Sequence, residues 1–71
     1  MQPIIDIHNV VRGDNLWNIA HSYLGNSATN AQILELTNNL AQINNLSNPD
    51  LIHPGDQIRV PQELVQRIRN F

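Results

Sequence analysis

The segment GDNLWNIA, residues 13–20, decides how this chain folds, because it joins a turn directly to a helix. Gly13 breaks the preceding apolar run, and Asp14 or Asn15 can cap the helix by accepting hydrogen bonds from its first backbone amides. Apolar residues then recur at the spacing of one helix face: Leu16, Ile19, Ala20 and Tyr23. Gly25 is typical of a helix end. The segment therefore predicts a turn followed by a helix with one buried face.

A short strand is predicted on either side of the helical region. Residues 7–11 read as the first strand, with Val10 inward and His8 on the same face by the two-residue repeat of strands. Residues 57–60 read as the second strand, which follows a turn at residues 54–56 and carries its two apolar side chains on one face. Because two such short strands are marginal alone, we expect them to pair antiparallel beneath the helices.

A second helix is predicted in the middle of the chain, capped by Thr29 or Asn30. Its apolar residues recur at three- and four-residue intervals: Ile33, Leu36 and Leu40. Residues 38–49 are rich in Asn and Ser, which favour turns, although Leu40 and Ile43 can hold one further helical turn on the core. The predicted fold class is α+β, with strand-helix-helix-strand order and a two-stranded antiparallel sheet.

An extra C-terminal helix is predicted after Pro61, a residue that suits a first helical turn. Its apolar residues fall on one face: Leu64, Val65, Ile68 and Phe71. Two interpretations of this face remain open at the sequence level. It packs on the domain's own core, or it serves self-association or leads into a further domain. So short a segment cannot hold a helix alone in water, which favours packing on the core.

Composition excludes several classes of function. The chain has 71 residues, enough for one small domain, and no cysteine, so it can form neither disulfides nor thiolate metal sites. Four arginines, no lysine and six acids give a net charge of −2, and no basic stripe is present to bind nucleic acid. The three histidines lack metal-ligand spacing, so neither a metal nor a cofactor is expected. The N-terminal residues lack the pattern of a signal peptide, and no apolar run reaches the length of a membrane span.

A second segment, NPDLIHPG at residues 48–55, precedes the second strand. Together with residues 13–20, in this order and spacing, it resembles the two halves of a LysM domain. The resemblance covers residues 8–61, which leaves residues 1–7 as an N-terminal extension and residues 62–71 as a C-terminal helical extension. Fungal and plant members of that family often carry disulfides, so the absence of cysteine favours a bacterial or phage origin.

The resemblance implies a shallow groove between two loops that binds glycans containing N-acetylglucosamine, namely peptidoglycan, with chitin as a further candidate. It implies that the following residues bind the ligand: Gly13, Asp14, Asn15, Leu16, Asn48, Pro49, Asp50, Leu51 and Ile52. Within this set, small polar side chains would meet sugar hydroxyls, and Leu16, Leu51 and Ile52 would form an apolar floor. Each of these residues also has a structural interpretation as a turn, cap or core residue.

Catalysis is not expected. Of the acidic residues, only Asp14 and Asp50 would come near one groove, and neither has an apolar pocket in prospect to raise its pKa as a glycosidase acid requires. Trp17 lies one step off the apolar stripe of its helix, so it is expected on the flank, either packing against the domain or stacking on a sugar. With three aromatic residues in total, the chain lacks a series of stacking platforms, so affinity for one short oligosaccharide should be weak and repeated modules would add avidity.

Two functions therefore follow from the sequence. The first is a non-catalytic glycan-binding module at the cell surface or cell wall, carried there by a parent protein that includes, for example, an enzyme domain. The alternative is a structural or protein-interaction module of a phage particle or a cytoplasmic protein, which the lack of a signal peptide and the C-terminal helix face would suit.

Overall fold

The part of the chain that the structure describes folds as two strands and three helices around a single core. The computed structural model describes residues 4–48 and 52–70. Its elements are β1 (Ile5–Asn9), α1 (Leu16–Leu24), α2 (Asn30–Ile43), β2 (Gln57–Pro61) and α3 (Gln62–Arg69). The strands pair antiparallel in a two-stranded sheet. The order and the pairing confirm the predicted strand-helix-helix-strand fold with an extra C-terminal helix.

The first strand begins and ends two residues earlier than the sequence predicts. Residues 7–11 are expected, whereas pairing with β2 extends from Ile5, opposite Pro61, to Asn9. The ends differ because pairing with the partner strand determines them, and the backbone of Val10 bonds to turn residues instead of the regular ladder. The predicted inward face is confirmed, since Val10 is buried and His8 is half-buried.

Side-chain caps begin both long helices. The Asn15 side chain accepts a hydrogen bond from the Asn18 amide, so Asn15 and not Asp14 caps α1. At the start of α2, Thr29 and Gln32 form a capping box in which each side chain bonds the other residue's backbone amide. Gly25 ends α1 with a φ of 90°, as predicted.

The Asn-rich stretch continues α2 for one further turn, as predicted, but Ile43 does not join the core. Leu40 is buried, whereas 40% of Ile43 is exposed, because the core-facing position in this turn belongs to Ala41. Asn45 then takes a φ of 58°, and the amide of Leu46 donates to the carbonyl of Ala41 over 2.8 Å. This is the Schellman arrangement of a helix end, and it turns Leu46 back onto the core.

The core lies between the sheet and the helices. Its largest fully buried side chains come from three elements, α1, α2 and β2: Leu16, Leu36, Leu40, Ile58 and Val60. Val65 and Ile68 of α3 are also buried there, and the Gln32 side-chain amide donates to the Ile68 carbonyl over 3.0 Å. The structure thus supports the interpretation that the C-terminal helix packs on its own domain; Phe71 lies outside the described residues. Of the helices in the described ranges, none has the length and apolar character needed to cross a membrane.

Candidate functional site

Two four-residue turns with the same hydrogen-bonding pattern lie at one end of the sheet. The Gly13 turn comprises residues 11–14, after β1, and the Gly55 turn comprises residues 53–56, before β2. In both, the amide of the fourth residue donates to the carbonyl of the first over 3.0 Å. The third residue is Gly13 or Gly55, with φ values of 94° and 95°. A side chain is disfavoured at such a φ, so both turns depend on glycine.

In each turn the side chain of an aspartate adds a second hydrogen bond to the first one between backbone groups. The Val11 amide donates to Asp14 Oδ2 over 3.0 Å, and the His53 amide donates to Asp56 Oδ2 over 2.9 Å. Each turn is therefore held by one backbone bond and one carboxylate bond between its first and last residues. The repeated Gly-Asp pair at residues 13–14 and 55–56 is the sequence signal of this construction, and it makes Asp56 a positioning residue that the sequence analysis missed.

Asp14 has a further partner on β1. His8 Nε2 lies 3.0 Å from Asp14 Oδ2, with both side chains about three-quarters covered. The Val11 amide and, next, the hydrogen bond from His8 lower the pKa of Asp14 below its ordinary value of 3.8, against the opposing effect of desolvation. The ionised carboxylate can only accept, so Nε2 of His8 carries the proton. This oxygen of Asp14 therefore holds the turn in place instead of being open to a ligand.

Backbone hydrogen bonds bring the two turns side by side. The Val10 amide donates to the Asp56 carbonyl, and the Gly55 amide donates to the Val10 carbonyl, each over 2.8 Å. Val10 therefore brings the start of the Gly13 turn next to the Gly55 turn. Because the second predicted loop leads directly into the Gly55 turn, this contact supports the expectation that the two loops border one surface.

The residues predicted from the first loop separate into exposed and buried groups. Gly13 and Asn15 are exposed. The Asn15 Oδ1 atom accepts from the Asn18 amide over 2.8 Å, which leaves its side-chain nitrogen directed elsewhere. Leu16 is only 1% exposed, so its side chain belongs to the core and the expected role in an apolar floor is wrong for it. The backbone at Leu16 remains available, because the first amides of a helix lack partners within the helix.

The second loop is only partly described. Pro49, Asp50 and Leu51 lie outside the described residues. Asn48 is exposed. Ile52 is 8% exposed and belongs to the core cluster, so it offers a ligand little more side-chain surface than the buried leucine of the first loop. The apolar side chains of the proposed floor that are described therefore stabilise the loops from below.

Trp17 is half-buried and packs against the core cluster. Its position on the flank of α1 is as predicted. It is the second residue of α1, two residues after the cap Asn15. Packing on the core accounts for the covered part of the ring, and the rest is exposed aromatic surface.

Asn44 positions the start of the second loop, a role that its membership of an Asn-rich stretch concealed. Its side-chain nitrogen donates to the carbonyls of Leu40, over 2.8 Å, and Arg59, over 3.1 Å. Its side-chain oxygen accepts from the Arg59 amide over 2.8 Å. One amide thus ties the end of α2 to the outer edge of β2. Arg59 lies 15 residues from Asn44 in the sequence, so local patterns could not predict this contact. The only local signal was that the apolar spacing of α2 ends at this point.

Other features of the described residues do not indicate catalysis or metal binding. No group of three or more potential ligands is found among the residues that the structure describes. Two open clefts lie away from the paired turns. One, of about 380 Å³, has Ser27, Thr29 and Asn70 in its lining, and the other, of about 110 Å³, has Asp6 and Tyr23. Neither is lined by the residues of the predicted groove.

The described residues form a two-stranded antiparallel sheet covered by helices, with two turns joined at one end of the sheet. The chain belongs to the LysM family: the family's sequence profile, described as LysM domain, matches residues 8–61. Members of this family in general bind glycans of the peptidoglycan and chitin type and are generally not catalytic.

Three relatives illustrate where similar sequences occur. A protein of Deinococcus radiodurans described as uncharacterized is 40% identical over 55 residues, 78% of this chain and 19% of the relative. The spore coat assembly protein ExsA of Bacillus cereus is 44% identical over 59 residues, 83% of this chain and 8% of the relative. SpoIVD-associated factor A of Bacillus subtilis is 44% identical over 57 residues, 80% of this chain and 12% of the relative. The chain thus spans less than a fifth of each relative. No solved structure gives a significant match.

Proposed function

We propose that this chain is a non-catalytic module that binds glycans containing N-acetylglucosamine, with peptidoglycan as the first candidate and chitin as the second. The ligand lies in the groove between residues 13–16 and residues 48–52. The observation that carries the proposal is the pair of backbone bonds that join Val10, just before the Gly13 turn, to the Gly55 turn, which directly follows the second loop in sequence. Membership of a family that generally binds such glycans supports it.

The first loop offers this ligand mainly backbone groups and one amide side chain. Asp14 is engaged with Val11 and His8, and Leu16 is buried, so Gly13 and Asn15 present the exposed surface of this loop. Fixed backbone groups suit sugars, because each hydroxyl or acetamido group needs an aligned partner and a rigid turn does not lose entropy on binding. Trp17, two residues after Asn15 in sequence, is half-buried, and we assign its exposed part to apolar contact with an acetyl group or a sugar ring.

Asp50 is the residue of the second loop that we assign to the ligand rather than to the fold. It follows Pro49 in the loop and has no apparent core role in the sequence. Losing one hydrogen bond to a sugar would cost about 0.5–1.5 kcal/mol of binding free energy.

A pull-down on purified insoluble peptidoglycan and on chitin tests the function. We expect the chain to be retained on at least one polymer, and Asp50→Ala to weaken retention while leaving the melting temperature nearly unchanged. Glu35→Ala is the matched control, since it also removes one carboxylate but from the exposed surface of α2. A large loss of thermal stability with unchanged retention would make Asp50 a structural residue, and no retention on either polymer would contradict the function.

The names of two relatives favour a second candidate function. ExsA is a spore coat assembly protein and the second Bacillus relative is a SpoIVD-associated factor, so similar domains occur in proteins named for assembly and association. In this reading the chain is a structural or protein-interaction module of a longer protein. In both readings we place it at a cell or spore surface through a longer parent protein, with a phage particle or the cytoplasm as the alternative. A failure to bind either glycan would favour the assembly function.

A further inference from the structure

The backbone of β1 presents hydrogen-bonding groups on the side away from β2. In an antiparallel pair, residues alternate between bonding their partner strand and pointing away from it. Ile4 bonds toward β2, since its carbonyl accepts from the Gln62 amide over 3.0 Å. Arg59, opposite Ile7, bonds Asn44 on the far side of β2 and so does not bond β1. By this alternation, Ile5, Ile7 and Asn9 direct their N–H and C=O groups to the outer edge of β1.

The two outer edges of the sheet differ in how far the rest of the described chain covers them. The Asn44 side chain covers the edge of β2 by bonding both backbone groups of Arg59. Along the outer edge of β1, the described part of the chain places neither a strand nor a helix. Single side chains reach β1 from the helices: Tyr23 meets the ring of His8, and the Gln62 side chain donates to Asp6. Those contacts lie on the face toward the core, so the edge itself remains open.

Apart from Asp6 on the inner face, the side chains of this edge strand do not oppose pairing with another strand. Ile5 and Ile7 are 47% and 48% exposed on the outer face of the sheet. Residues 4–11 contain no Lys, Arg or Pro, the residues that commonly block an exposed edge. An open edge of this kind is a template for addition of a further strand.

We propose that β1 pairs antiparallel with β1 of a second copy of this chain, with Ile7 on the two-fold axis. In this register Ile5 lies opposite Asn9 of the second copy, and each such pair exchanges both backbone hydrogen bonds. The donors and acceptors of the edge match themselves, as a two-fold interface requires. The result is a four-stranded antiparallel sheet.

This register keeps like charges apart. On the inner face it places Asp6 directly opposite His8 of the second copy, and His8 opposite Asp6, so acids do not face acids. The interface is small, so the dimer is weak and depends on concentration. It places the two Gly13 turns at opposite ends of the joint sheet, where two grooves on one polymer would gain avidity.

Single-cysteine variants test the register, because the chain has no cysteine of its own. In the dimer two copies of residue 7 have Cα atoms about 5.5 Å apart, within reach of a disulfide. Two copies of residue 11, displaced from the axis in opposite directions, lie about 27 Å apart. We expect Ile7→Cys to cross-link under mild oxidation at least tenfold faster than Val11→Cys, although both side chains are exposed. Equal rates, or a faster Val11→Cys, would overturn the proposal.

Analytical ultracentrifugation without glycan tests the dimer itself. We expect the wild-type mass to rise from monomer toward dimer with concentration, Ile7→Lys to remain monomeric because two ammonium groups meet at the axis, and Ile7→Thr to retain the rise. Circular dichroism verifies that each variant folds, as a half-exposed position should allow. A monomer at every concentration, or a dimer that survives Ile7→Lys, would contradict pairing through β1.

Discussion

The Gly13 turn and the Gly55 turn share their geometry and differ in what secures them. Both have glycine in the third position with a φ near 95°, and both have an aspartate that bonds the first amide. In the Gly13 turn that aspartate also contacts His8 on β1. In the Gly55 turn Pro54 precedes the glycine, and the contact described for the Asp56 carboxylate is the one with the His53 amide of the same turn. A side-chain network thus secures one turn, and a restricted backbone secures the other.

The difference shows that the same turn geometry can lead into two different elements, a helix and a strand. The Gly13 turn must redirect the chain from β1 into α1, so a contact back to the strand fixes the direction of the helix. The Gly55 turn leads into a strand that pairs with β1 immediately, so the ladder itself fixes its direction. We therefore expect substitutions in the aspartates to distinguish the turns and substitutions in the glycines to affect them equally.

The largest effect is expected from the glycines. Gly13→Ala and Gly55→Ala should each lower the free energy of unfolding by about 1–2 kcal/mol, because an alanine at these φ values is strained. The costs should be equal, since no heavy atom lies within 4 Å of an added Cβ at either position. Chemical denaturation of both variants measures this. Gly13→Asn is the control and should cost less, since asparagine tolerates positive φ better. A cost at only one glycine would show that the turns are not equivalent.

The aspartates should separate the two turns. Asp14→Ala removes the acceptor of two hydrogen bonds, and Asp56→Ala removes the acceptor of one. We expect the fall in melting temperature to be roughly twice as large for Asp14→Ala as for Asp56→Ala. Thermal unfolding followed by circular dichroism gives both values. If the two variants melt alike, the contact with His8 contributes nothing to stability.

A smaller effect is expected from pH. The pKa of Asp14 is lowered in the folded state, so its stabilising contribution is complete above its ordinary value of 3.8 and disappears as pH falls through the lower folded value. Asp14→Asn has no such titration. The difference in melting temperature between wild type and Asp14→Asn should therefore shrink as pH is lowered from about 6 to about 2. A difference that stays constant over this range would contradict the proposed role of the ionised carboxylate.

Local patterns predicted the elements of the fold correctly because local physics determines them. The spacing of Leu16, Ile19 and Ala20 made one buried helix face, and Gly25 ended that helix. The bounds of β1 and the exposure of Ile43 were predicted wrongly, because strand pairing and the direction of the last turn of α2 depend on distant partners.

The site was less predictable than the fold for the same reason. That Leu16 is buried follows from which side of α1 meets the core, and the spacing of apolar residues already indicated it. The hydrogen bonds of Asn44 to Arg59 and of Asp14 to His8 join residues whose relation appears only after folding. The pairing of the two turns through Val10 depends on the register of the sheet in the same way.

The most direct test of the central claim, that the two loops form one glycan site, is amide shift mapping during titration with N-acetylglucosamine oligomers. We expect the largest shifts in both loops together, at Gly13, Asn15 and Leu16 and at Asn48 and Ile52. Shifts in one loop alone would show that the two loops do not form a single glycan site. Shifts confined to α3, or none at millimolar ligand, would contradict the account.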